Sequence, residues 1–82
     1  MRGLSSANRA ILKLLAIAKE PIRGREIAMI TRTWIVYPRL FNLEERKFIL
    51  GEFAPGTYPR HRVYWITPEG RAALAKDGGK DG

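Results

Sequence analysis

An α+β fold is predicted for this chain by three features of its 82 residues. Val36, Leu40 and Leu43 recur at helical spacing in a segment that stops near Arg46 and gives way to the strand formers Phe48-Ile49-Leu50. A second strand-forming run, Val63-Tyr64-Trp65-Ile66, leads into Thr67-Pro68-Glu69, a helix start. Between the two strands lies a segment rich in Pro, Gly and Arg. With two helical segments ahead of it, this order describes a small winged helix-turn-helix: three helices, a two-stranded wing and a short C-terminal helix.

Each element has a local reason. Ser5 or Ser6 can cap a first helix, in which Leu4, Ala7, Ile11, Leu14, Leu15 and Ala18 form one apolar stripe. Pro21 closes it, because the residue before a proline leaves the helical region. Arg23 to Ile30 reads as a shorter second helix with Ile27 and Ile30 facing inward. Thr31-Arg32-Thr33 is the turn. The third helix runs from about Trp34 to Arg46, and Pro38 requires its start to be near, where a missing N–H costs little. In the last helix Thr67 is the cap, Pro68 the first position, and Glu69 places a negative charge at the positive end of the dipole. Residues 1–76 form the domain. Residues 77–82 have no apolar content and read as a disordered tail.

Composition narrows the function. Lys and Arg number 15 against 8 acids. The excess is concentrated: Arg23 to Arg39 holds Arg23, Arg25, Arg32 and Arg39 with Glu26 as its one acid, and Ala54 to Arg62 holds Arg60, His61 and Arg62 with none. Such a surface fits a polyanion. The chain has no cysteine, and the lone His61 cannot build a metal centre without several carboxylates. No cofactor is implied. No apolar run approaches membrane-spanning length. Met1-Arg2-Gly3-Leu4 leads into a patterned helix rather than a secretory signal, so a cytoplasmic location is expected. An enzyme is not expected. The only aspartates are Asp77 and Asp81, Glu44-Glu45 reads as a solvated face, and there is no glycine-rich nucleotide loop.

On a helical wheel the face opposite Val36, Leu40 and Leu43 carries Trp34, Pro38 and Glu45, with Phe41 and Asn42 to either side; Arg39 flanks the core. In a helix-turn-helix that outer face enters the major groove. Arginine pairs with guanine and asparagine with adenine, and threonines at a helix start suit phosphate oxygens. Thr31, Arg32, Thr33, Trp34, Arg39 and Asn42 are therefore the candidate contacts of the helix and turn. In the wing, Arg60 and Arg62 are placed for phosphates or a narrow minor groove, His61 adds a donor, and Tyr58 is placed to cover the sugar backbone. Each has a plainer reading as a solvated charge or a covering aromatic. Phe41, pointing away from the core, needs a partner, either under the first helix or at a dimer surface.

Tyr37-Pro38, Leu40, Leu43 and Glu44, with Tyr64, Ile66, Thr67 and Gly70, resemble the third-helix and wing-strand patterns of the PadR family. Pro21-Ile22-Arg23-Gly24-Arg25-Glu26-Ile27 is similar to that family's second-helix segment. The family commonly has glycine after the third helix, where this chain has Lys47, and dimerises through a long C-terminal helix. The resemblance implies a repressor-type transcriptional regulator. Any homodimer here would have to form without a long C-terminal helix. The sequence thus points to double-stranded DNA as the partner and to transcription regulation as the function. A winged helix serving as a protein-interaction module of a larger assembly is the alternative.

Overall fold

The computed structural model describes the backbone of residues 4–56 and 61–81, with side chains to Asp77. Helix α1 (Ser6–Ile17) begins on Ser5, whose Oγ accepts the Asn8 N–H at 3.2 Å. Its inner face is Asn8, Ile11, Leu12 and Leu15. It ends earlier than Pro21 requires, with Ala18 already extended. Lys19 and Glu20 are exposed and would bury nothing in a further turn.

The chain then makes a strand that the sequence did not announce. β1 (Ile22–Arg23) pairs antiparallel with β3 (Arg62–Ile66), setting Ile22 opposite Tyr64 and Arg23 opposite Val63. β3 also pairs antiparallel with β2 (Ile49–Phe53). The sheet therefore has three strands in the order β1-β3-β2, rather than the two expected. Two residues are too few to show a strand's alternation, and only the tertiary pairing makes them one.

α2 (Gly24–Thr31) and α3 (Val36–Glu45) form the helix-turn-helix. Ile27 is fully buried, but Ile30, expected inside, is exposed. With the helix starting at Gly24, the inner face is Gly24, Ile27, Ala28 and Thr31, and Ile30 falls outside it. Val36, Leu40 and Leu43 are buried as the periodicity requires, and Pro38 lies in the first turn. With Ile11, Leu12, Leu15, Ile49, Tyr64 and Ile66 they make one core.

The third helix ends in a Schellman motif. The Phe48 N–H donates to the Leu43 carbonyl and the Lys47 N–H to the Glu44 carbonyl, both at 3.0 Å. This places Lys47 at φ 68, the left-handed region.

α4 (Pro68–Asp81) starts on Thr67, whose Oγ1 accepts the Gly70 N–H at 2.9 Å and donates to the Lys47 carbonyl at 2.7 Å. Gly70 is required by proximity, since a Cβ there would run into the Phe48 carbonyl. The helix passes Lys76, where the sequence reading ended it, and continues to Asp81. Asp77, expected in a disordered tail, instead accepts from Arg9 Nε at 2.7 Å and from the Leu4 N–H at 3.2 Å. Composition could not show this, because the contact lies 68 residues away along the chain. Among the described residues no helix is long and apolar enough to cross a membrane.

Candidate nucleic-acid interface

The turn between α2 and α3 is built by its own side chains. Arg32 takes φ 56, and the Thr33 N–H reaches back to the Ala28 carbonyl at 3.0 Å. Thr31 Oγ1 donates to the Ile27 carbonyl at 2.7 Å, and its oxygen lies 2.8 Å from Thr33 Oγ1. Because Thr31 gives its proton to Ile27, Thr33 is the donor between the two hydroxyls. Both hydroxyl protons are thus spent inside the turn, leaving only acceptor capacity facing outward. The two threonines expected to donate to phosphates are in this structure the fasteners of the turn.

Beyond the turn the predicted face is outside. Trp34 is 96% exposed and does not fold back on the core. Asn42 is exposed and Arg39 half-buried beside the core. Phe41 is 62% exposed, so it does not pack under α1. Arg32 is exposed.

The wing divides. Tyr58 and Arg60 lie outside the described residues. His61 is half-buried, and its carbonyl accepts the Ala54 N–H at 2.8 Å, closing the base of the hairpin. Arg62, expected in the loop, is the first residue of β3 and sits opposite Phe53. Its Nη2 donates to Glu44 Oε2 at 2.9 Å, and its guanidinium carbon lies 5.6 Å from the Phe53 ring centroid and 5.5 Å from that of Tyr64. Arg62 therefore ties the wing to the end of α3. Among the described residues its Nε–H is buried without an acceptor. The spacing of the sequence could not distinguish a loop arginine from a strand arginine one residue further on.

Sequence reasoning missed a basic pocket of about 240 Å³ between the β1–α2 junction, the start of α3 and the wing base. Arg23, Gly24 and Arg25 supply one wall, Tyr37 at the start of α3 another, and Phe53, His61 and Arg62 at the wing base the third. Gly24 is the hinge of the arrangement: a Cβ there would lie 2.8 Å from Tyr37 Cε1. The available signal was the Arg-Gly-Arg run, two cations around a residue that permits close approach.

Burial raises the Tyr64 hydroxyl pKa above the ordinary value of 10.0, with Arg62 opposing the rise.

No protein-family model matches the sequence, and no curated protein matches it. Solved structures do. A probable transcriptional regulator from Pseudomonas aeruginosa aligns at TM-score 0.76 and 21% identity, covering 89% of this chain and 55% of that one. A PadR family transcription regulator from Clostridium difficile aligns at TM-score 0.77 and 21% identity, covering 93% and 86%. Bacillus subtilis PadR, solved in complex with operator DNA, aligns at TM-score 0.73 and 24% identity, covering 92% and 47%. This chain spans about half the length of the first and third. These alignments over about nine-tenths of the chain, with its four helices and three-stranded sheet, make it a PadR-like winged helix-turn-helix in fold.

Proposed function

We propose that this protein binds double-stranded DNA and regulates transcription as a repressor, with α3 in the major groove and the wing against the neighbouring minor groove. The observation that carries the reading is the outer face of the helix-turn-helix. On α3 Asn42 is exposed and Arg39 half-buried, opposite a face committed to the core, and exposed Trp34 stands just ahead of the helix. Arg39 and Asn42 have the donor patterns that read guanine and adenine edges, and their α-helix fits the groove's width. The excess of 15 basic over 8 acidic residues supports a polyanionic partner. The solved PadR complex shows that a protein of this fold engages operator DNA. Arg32 and His61, with Tyr58 and Arg60, supply backbone contacts around this reading helix, while Thr31 and Thr33 hold the turn that aims it.

Selection of bound duplexes from a random pool tests the reading. Convergence on a motif is expected. Recovery of unenriched sequence would withdraw the regulator claim and leave a non-specific binder.

One observation favours a second reading. Trp34, with exposed Met29, Ile30 and Ile35 close to it in sequence, gives the helix-turn-helix an apolar flank, and exposed apolar patches mark protein interfaces. On that reading the domain is an interaction module. It would hold if no duplex were bound at moderate salt.

A further inference from the structure

Of the basic pocket between the β1–α2 junction, α3 and the wing base, the groove reading above uses His61 but neither Arg23 nor Arg25. We infer that the pocket is a seat for one phosphate group of the DNA backbone, shared by Arg23 and Arg25, which fixes the register between the reading helix and the wing. The inference rests on the DNA-binding reading and deepens it.

The chemistry of the lining points to an anion. Four of the pocket's side chains are Arg23, Arg25, His61 and Arg62, and among the described residues no carboxylate lines it. Among the described residues Arg62 alone of these has an acid partner, Glu44. Among the described residues neither Arg23 nor Arg25 forms an ion pair, and both are exposed. α2 adds its first turn: no side chain caps it at Arg23, so its N–H groups remain available. Glu26, the acid of that turn, does not line the pocket.

About 240 Å³ is room for a phosphate group and falls below the roughly 300–1,000 Å³ of sites that enclose drug-sized molecules. Position gives the consequence. The walls come from the start of α2, the start of α3 and the wing base, so a phosphate seated here is held against both DNA-reading elements at once. Arg62, already bound to Glu44 at the end of α3, completes that link.

The test is the salt dependence of affinity for a duplex of fixed sequence, measured for wild type, Arg23→Ala, Arg25→Ala and the double variant. Both arginines are exposed, so folding is expected to survive, and melting curves check that. Each phosphate contact on B-DNA contributes about 0.9 to the slope of log affinity against log salt. A single shared phosphate means that the double variant loses about 0.9 in total. A loss of about 1.8 would mean two separate phosphates and would overturn the shared seat, as would an unchanged slope. Inorganic phosphate at constant ionic strength, titrated into the DNA-free protein, separates the other source. Saturable binding lost in the double variant, with the DNA slope unaltered, would assign the pocket to a free phosphate instead. If wild type bound no duplex at all, the DNA reading itself would fall, an outcome distinct from wild-type binding with unaltered variants.

Discussion

Lys47 occupies a backbone conformation that suits glycine. At φ 68 a side chain crowds the following carbonyl, at a cost of about 1–2 kcal/mol that glycine avoids. Lys47→Gly is expected to stabilise the domain by about 0.5–1 kcal/mol after the extra entropy of an unfolded glycine is subtracted. Denaturant unfolding checks this; a lower midpoint would mean that the lysine side chain makes a contact worth more than the strain. The resemblance to PadR sequences carried this position, because it marks a glycine where this chain has lysine. Leu40 was legible from periodicity alone and is 1% exposed. Leu40→Ala is expected to cost about 2–5 kcal/mol in thermal or chemical unfolding. Tyr64 sets a pH limit. Its hydroxyl pKa is raised in the folded state, so its contribution is fully present below the unfolded value of 10.0 and is lost as pH rises through the folded value. Melting temperature should therefore fall more steeply above pH 10 in wild type than in Tyr64→Phe. Parallel curves would show that burial of this ring does not hold its proton.

At the scale of elements, the chain writes its long helices clearly and its short or remote contacts poorly. α3 was readable because three buried residues repeat along it, and the start of α4 because Thr67-Pro68-Glu69 is a local cap signal. β1 was not, since Ile22 and Arg23 become a strand only by pairing with Tyr64 and Val63. The candidate site shows the same division. The exposed face of α3 followed from its buried face, whereas the basic pocket draws on residues as far apart as Arg23 and Arg62 and left no periodic trace. The extent of α4 was also hidden. Glycines and charges at its end read as a tail, but the Arg9–Asp77 ion pair and the Arg71 hydrogen bond to the Ala16 carbonyl at 3.3 Å fasten the helix to α1. Asp77→Asn is expected to lower stability by up to about 1 kcal/mol, a modest figure because Arg9 remains partly in water. No change on thermal melting would show that α4 holds without the clasp. Thr67→Ala removes a buried cap that serves two elements at once, and its cost should reach the upper part of the about 0.5–2 kcal/mol range for caps.

For the whole molecule, the fold divides its labour by face. One side of the helix-turn-helix is spent on the core, the other presents Arg39 and Asn42, and Arg62 links the wing to the same helix. A surface built this way should read bases with the helix and hold phosphates with the charges beside it. The most direct test is the affinity of wild type and Asn42→Ala for a pool-selected duplex and for its scrambled counterpart at one salt concentration. The substitution is expected to cost about 1–3 kcal/mol on the selected duplex and far less on the scrambled one, because a base-edge contact discriminates and a phosphate contact does not. Equal losses on both duplexes, or no loss on either, would contradict the placement of α3 in the major groove.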